Sequence, residues 1–246
     1  MTLHEDSVKL GNWLFRWRSY LPLLFIFVLL PGLLAFNYPK GLHEYDLIWE
    51  MFCVSVSFLG LFIRCYTIGY IPKGTSGRNT RNQKADSLNI AGSYSLLRNP
   101  LYLGNFFMCL GVIMFVHLWW IILIYILVFW LYYERIIFAE EEFLKKTFGK
   151  QYQDYVNCTP AFIPKFKNWQ SPNLPFSFRN VLKREYSSLF ALISAFAIME
   201  ISSDYIVNKR IIVDKAWLYL FLVGFGIYIT LMTLKKKTVF LHVEGR

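Results

Sequence analysis

Six stretches of this chain are too apolar and too long to sit comfortably in a water-soluble fold. They cover 20–36, 47–71, 102–116, 118–138, 187–207 and 216–234. A helix needs about 20 mainly apolar residues, with a range of about 17–25, to cross the hydrocarbon core of a bilayer. Backbone N–H and C=O groups have no water to bond to in that core, so a segment of this kind must be helical. Composition agrees: 56% of the 246 residues are hydrophobic and only 17% are charged, against roughly 45–50% and about 25% in ordinary soluble domains. The expected fold is an all-α integral membrane protein with about six transmembrane helices. The third span is short and meets the fourth at His117, which predicts a tight helical hairpin with Trp119 and Trp120 at the interface. Pro31 and Gly32 predict a kink in the first.

Lysine and arginine orient these spans. Three precede the first span, five lie between the second and third, eight between the fourth and fifth, and four in the tail. That places twenty on one side, against Lys40, Lys209, Arg210 and Lys215 on the other, with Arg64 and Arg135 inside spans. The positive-inside rule then puts both termini and both long basic loops in the cytoplasm. Cytoplasmic loops facing anionic lipid account for the net charge of +10, and no nucleic-acid-binding motif is present, so nucleic acid is not an expected partner. The four histidines are scattered and no two cysteines form a C-x-x-C pair, so no metal site is expected. Nothing points to an obligate protein partner. No internal repeat is evident, and 168–178, with Pro172 and Pro175, reads as a linker.

Polar information concentrates in two segments, 72–102 and 134–164. The expected hairpin separates them and returns the chain to its starting face, so the two should meet at the cytoplasmic surface. In the first, Arg98-Asn99-Pro100 reads as a helix start: asparagine is a good N-cap and proline is favoured at the first helical position. Such a start, with Arg98 beside it, is either an anion site or simply a capped helix with a snorkelling arginine. In the second, Glu140-Glu141-Glu142 follow Glu134 and Arg135. Three acids in a row cannot all point inward, but at least one should face the Arg98 helix start. The loop 74–84, GTSGRNTRNQK, offers Arg78, Arg81 and Lys84 with flanking amides. It suits phosphate recognition, or equally a basic loop touching anionic lipid. Glu50, Arg64, Glu200 and Asp204 are ionisable groups within spans, near their ends, where snorkelling or pairing with Lys209 and Arg210 would satisfy them.

The ordered pattern is G-x-Y-x-x-x-R-N-P-x-Y-x-G, a hairpin, E-E-x-x-L-x-x-x-F-G-x-x-Y-x-x-Y and a closing F-I-P. Here it comprises Gly92, Tyr94, Arg98, Asn99, Pro100, Tyr102, Gly104, Glu140, Glu141, Leu144, Phe148, Gly149, Tyr152, Tyr155, Phe162, Ile163 and Pro164. This set resembles the isoprenylcysteine carboxyl methyltransferases and, through them, the phospholipid methyltransferases. It divides the chain into 1–87 (N-terminal membrane helices and basic loop), 88–164 (the motif region) and 165–246 (linker and C-terminal membrane helices). The resemblance implies S-adenosylmethionine as methyl donor in a cytoplasmic-face pocket, with a lipid acceptor entering from the bilayer. It implies Arg98, Glu140 and Glu141 as the essential polar groups, and Tyr94, Asn99, Pro100, Tyr102, Leu103 and Gly104 as further cofactor contacts. Arg78, Arg81, Lys84 and Arg98 would then bind the acceptor. The chain departs from the family at Asn99, where histidine is usual, which argues against a histidine base. The loop 74–84 is similar to that of bacterial lipid A 1-phosphate methyltransferases, so the favoured expectation is O-methylation of a lipid phosphate in a bacterial inner membrane. Prenylcysteine carboxyl methylation and phospholipid amine methylation are alternatives within the class. An NADPH-dependent reductase of the steroid-reductase type and a non-catalytic membrane scaffold are alternatives outside it.

Overall fold

The computed structural model describes residues 3–18, 20–38, 43–72, 74–75, 85–211, 213–243 and 245–246. Arg78, Arg81 and Lys84 lie outside the described residues. Among those described, all regular structure is helical. The helices are α1 (Leu3–Trp17), α2 (Leu21–Leu34), α3 (His43–Tyr70), α4 (Ser93–Leu96), α5 (Pro100–Met114), α6 (Trp119–Phe148), α7 (Lys150–Cys158), α8 (Phe178–Asn208) and α9 (Lys215–Lys237). Four of them, α3, α6, α8 and α9, are long and apolar enough to cross a membrane. Helix α5 has 15 residues and α2 has 14, so at 1.5 Å per residue they reach only about 22 Å. The six apolar stretches are thus all helical, two of them short of full span length. The apolar residues sort as they should in lipid: Ile48, Phe52 and Phe62 of α3, Trp130 and Leu131 of α6, and Leu222 and Phe225 of α9 face outward.

Small residues set how closely the helices approach. A Cβ on Gly111 of α5 would fall 2.2 Å from the Cys53 carbonyl oxygen of α3 and 2.2 Å from Ser57 Oγ, and one on Gly60 would fall 2.4 Å from the Gly104 carbonyl. Only glycine admits this α3–α5 contact, the small-residue packing that membrane helices use when lipid offers no hydrophobic driving force. Ser57 Oγ donates to the Met108 carbonyl at 2.8 Å across the same seam. The core beside it joins Phe25 and Leu29 of α2, Tyr125 and Phe129 of α6, and Leu192 and Phe196 of α8. All three sequence regions therefore share one core.

The α5–α6 hairpin forms as expected. His117 sits at its turn with φ of 59°, and its Nε2 lies 2.6 Å from Asp46 Oδ1 of α3 while its ring stacks on Trp49. The reversal is therefore fixed to a neighbour, which sets the register in which α6 returns. Helix α6 has 30 residues, about 45 Å of helix against a core of about 30 Å. Its final turns, carrying the acids, extend past the apolar zone at the end of the bundle where α5 begins. The stretch expected to be a linker is irregular but packed. Gly92 N–H donates to the Gln170 carbonyl and Ser177 N–H to the Gly69 carbonyl, both at 2.9 Å, and Phe176 lies edge-on to Tyr70.

Two of the ionisable groups within spans, Asp204 and Arg64, are satisfied differently from the expectation. Asp204 and Glu200 are buried, at 4% and 3% exposure. Asp204 accepts from Tyr38 and from Asn208 Nδ2 rather than pairing with Lys209 or Arg210. Arg64 is matched by Glu185, 121 residues away.

Candidate functional site

The helix start at Arg98 and the acidic end of α6 come together at the basic end of the bundle. Arg98 donates to Glu141 Oε1 through Nε at 3.0 Å and Nη2 at 2.7 Å. Its Nη1 donates to the Thr159 carbonyl at 2.8 Å. The guanidinium is donor-only and planar, so one side chain ties the α5 start to α6 and to the segment after α7. The side chains are 14% and 26% exposed, so the pair is partly dry and stronger than a surface ion pair. Main-chain bonds reinforce the junction. Arg98 N–H donates to the Pro160 carbonyl at 2.9 Å and Lys165 N–H to the Leu96 carbonyl at 3.0 Å.

Each of the three consecutive acids takes a different direction, as a 100° step per residue requires. Glu141 faces Arg98. Glu140 faces Arg18, just beyond α1, with Nη1 to Oε1 at 3.4 Å; the same Nη1 lies 3.5 Å from the Tyr102 hydroxyl. Glu142 pairs one turn along with Lys146, which is 74% exposed. Glu140 and Glu141 are thus the two acids engaged by Arg18 and Arg98, whereas Glu142 pairs with Lys146 on its own helix.

Asn99 occupies the N-cap position of α5, but its side chain makes no capping bond. Its Nδ2 instead donates to the Ala161 carbonyl at 3.1 Å. Pro100 is fully buried. The sequence expectation of a capped helix start holds for position and fails for the hydrogen bond, because the amide finds a carbonyl in the second motif half. Nor does Arg98 offer an unmatched charge to an anion, since Glu141 balances it.

Tyr94 lies on α4, and its carbonyl accepts from the Tyr155 hydroxyl at 2.7 Å. Burial, followed by the neighbouring Tyr94 phenol, pushes the Tyr155 phenol well above its ordinary range, so it stays a donor. Burial, followed by the charge of Glu141, does the same to Tyr152. Gly149 allows the sharp α6–α7 turn with φ of 52°, and this turn carries the two tyrosines back beneath the acids. Tyr102 lies against the ring of Tyr133, with centroids 4.6 Å apart. Leu103 is half-buried in the next position. Gly104 turns away toward α3, where a Cβ would meet Arg64 Cγ at 2.5 Å. The residues brought together are thus Arg98, Asn99, Tyr102, Glu140 and Glu141. Arg18 joins them without any local signal in the sequence, where it read only as one more basic residue before the first span.

Fold and site together define a multi-helix membrane protein with a cluster of charged and aromatic side chains at one end of its bundle. Comparison with known proteins carries this further. Residues 50–151 match the phospholipid methyltransferase family, a stretch that runs from α3 into α7 and holds both Arg98 and the acid pair. Over 85 residues the chain is 32% identical to the protein-S-isoprenylcysteine O-methyltransferase of Schizosaccharomyces pombe, covering 35% of this chain and 36% of that one. Over 123 residues it is 27% identical to the nickel-cobalt-cadmium resistance protein NccN of Alcaligenes xylosoxydans xylosoxydans, covering 50% and 57%. Over 83 residues it is 34% identical to the cobalt-zinc-cadmium resistance protein CzcN of Cupriavidus metallidurans, covering 34% and 38%. The chain thus spans between about a third and just over half of the length of these relatives. No solved structure matches. The family match covers 102 of the 246 residues, and the fission-yeast relative is a methyltransferase of the same kind of membrane setting only by its name, so what this stretch shows is similarity to the phospholipid methyltransferase family.

Proposed function

We propose that the chain is an S-adenosylmethionine-dependent membrane methyltransferase that acts on an anionic, membrane-embedded lipid, with a lipid phosphate oxygen as the favoured acceptor. One observation carries the reading: Arg98 and Glu141, 43 residues apart and on opposite sides of a hairpin, are joined by two charge-assisted hydrogen bonds. A scaffold has no need to assemble both motif halves at one point. The family similarity supports methyl transfer, and the excess of Lys and Arg at this end supports an acidic acceptor and a cytoplasmic placement of both termini, in a bacterial inner membrane.

The residues present suit the donor. Its ammonium and sulfonium charges call for carboxylates and aromatic faces, and its carboxylate calls for a guanidinium. Glu140 and Glu141 supply the first, Tyr102 and Tyr152 the second, and Arg18, whose own ion pair is long at 3.4 Å, the third. Glu140 is the better ligand for the ammonium, because its ion pair with Arg18 is long at 3.4 Å, whereas Glu141 is held twice by Arg98. When bound, S-adenosylmethionine supplies an electrophilic methyl carbon on a cationic sulfur.

The chain's own task is alignment. An ionised phosphate or carboxylate oxygen is already a nucleophile, so no general base is required, which suits asparagine at position 99. Arg98 holds Glu141 and the α5 start in register. Holding two reactants in line can lower a barrier by about 7–11 kcal/mol at best. The favoured acceptor resembles that of the lipid A 1-phosphate methyltransferases. A prenylcysteine carboxylate is the second reading, favoured by the fission-yeast relative. Purified protein in lipid discs, given S-adenosylmethionine with an isotopically labelled methyl group, should place one labelled methyl on a lipid. The fragment that carries it, phosphate, carboxylate or amine, identifies the acceptor. Label confined to amine headgroups would refute the anionic acceptor, and no labelled lipid from any extract would refute the function.

A further inference from the structure

Behind Tyr102, a chain of polar side chains crosses four helices. Glu185 of α8 accepts from Arg64 of α3 twice, from Nε at 2.9 Å and Nη2 at 2.6 Å. The remaining arm, Nη1, donates to Asn105 Oδ1 of α5 at 2.6 Å. Asn105 Nδ2 then donates to the Tyr133 hydroxyl of α6 at 3.1 Å. Gly104 leaves the room for Arg64 to pass.

Directions along this chain are fixed at one end. A guanidinium can only donate, so the Asn105 oxygen must face Arg64 and the Asn105 amide must face Tyr133. The Tyr133 oxygen is therefore an acceptor from Asn105, and its own proton points elsewhere. Among the described residues no acceptor stands opposite that proton, although Tyr133 is 94% buried, being 6% exposed. A buried hydroxyl with an unused proton is costly unless something receives it. Tyr133 is also well placed. It lies seven and eight residues before Glu140 and Glu141 on one helix, about 10–12 Å toward the membrane centre, with its ring against Tyr102 and Phe129.

We propose that Tyr133 is a binding residue for the acceptor lipid, donating its hydroxyl proton to an oxygen of the lipid on the membrane side of the Arg98–Glu141 cluster, and that Glu185, Arg64 and Asn105 are positioning residues that aim this proton. It rests on the methyltransferase reading. The ligand chemistry it names is a hydrogen-bond-accepting oxygen of a lipid, not the methyl donor.

Asn105→Asp tests the polarity directly. An aspartate still accepts from Arg64, but it must also accept from Tyr133, which turns the tyrosine proton inward. Tyr133→Phe removes the proton outright. Both variants should raise the KM for the lipid acceptor about 3–10-fold, the range for one neutral hydrogen bond, with the KM for S-adenosylmethionine within twofold of wild type. The double variant should be no worse than either single one, since both remove the same proton. Steady-state kinetics in lipid discs, with melting temperatures to confirm folding, would show this. Folded variants with unchanged lipid KM, or effects that multiply in the double variant, would overturn the assignment while leaving the function intact. If Asn105→Asp fails to fold, Tyr133→Phe with unchanged lipid KM overturns it alone. A wild-type protein that methylates no lipid overturns both.

Discussion

Removing Arg98 and Glu141 singly and together probes the junction on which the site depends. In the single variant Arg98→Ala, Glu141 loses both of its short hydrogen bonds, at 2.7 and 3.0 Å, and the Thr159 carbonyl loses its donor. Each hydrogen bond to a charged group is worth about 1.5–3 kcal/mol. The carboxylate is 26% exposed, so water replaces part of that loss, and a coupling of about 2 kcal/mol is the reasonable magnitude. In rate terms this is about 30-fold. Arg98→Ala and Glu141→Gln should therefore each lower methyl transfer strongly, and the double variant should be about 30-fold more active than the product of the single effects implies. The assay is labelled-methyl incorporation into lipid by purified protein in discs, at matched folded fractions. Single effects that multiply to within about 0.5 kcal/mol would refute the reasoning, because the two groups would then act independently.

Arg18→Ala should raise the KM for S-adenosylmethionine several-fold with a smaller change in kcat, since Arg18 balances Glu140 at 3.4 Å; methyl-transfer kinetics at varied donor concentration check this. Gly111→Ala should lower the melting temperature in detergent, because the new Cβ would sit 2.2 Å from the Cys53 carbonyl and overpacking of this kind costs about 1–3 kcal/mol. Tyr155 supplies a pH test. Its phenol is raised in the folded state, so its contribution is complete below the unfolded value of about 10 and is lost as pH climbs through the folded value. The wild-type melting temperature should fall more steeply above about pH 10 than that of Tyr155→Phe, and equal slopes would remove the argument.

The helices and their hairpin were legible because lipid imposes a one-dimensional rule: long apolar runs must be helices, and a short turn must reverse them. The convergence of Arg98 with the acids followed from that reversal alone. The choice among Glu140, Glu141 and Glu142 did not, because three successive helix positions share no face and only the neighbouring helices select between them. Arg18, 122 residues from Glu140, and Arg64, 121 residues from Glu185, are matched by tertiary packing that leaves no spacing in the chain to read. Asn99 shows the reverse: capping preference placed the helix start correctly, but the side chain was drawn off by a carbonyl that the local sequence does not contain.

Calorimetric titration of the purified protein with S-adenosylmethionine and, separately, with NADPH bears most directly on the central claim that the α5 start and the α6 end together hold a sulfonium donor. Saturable binding of S-adenosylmethionine is expected, weakened by Glu140→Gln and by Glu141→Gln but not by Glu142→Gln, with no binding of NADPH. Binding of NADPH without S-adenosylmethionine would contradict it.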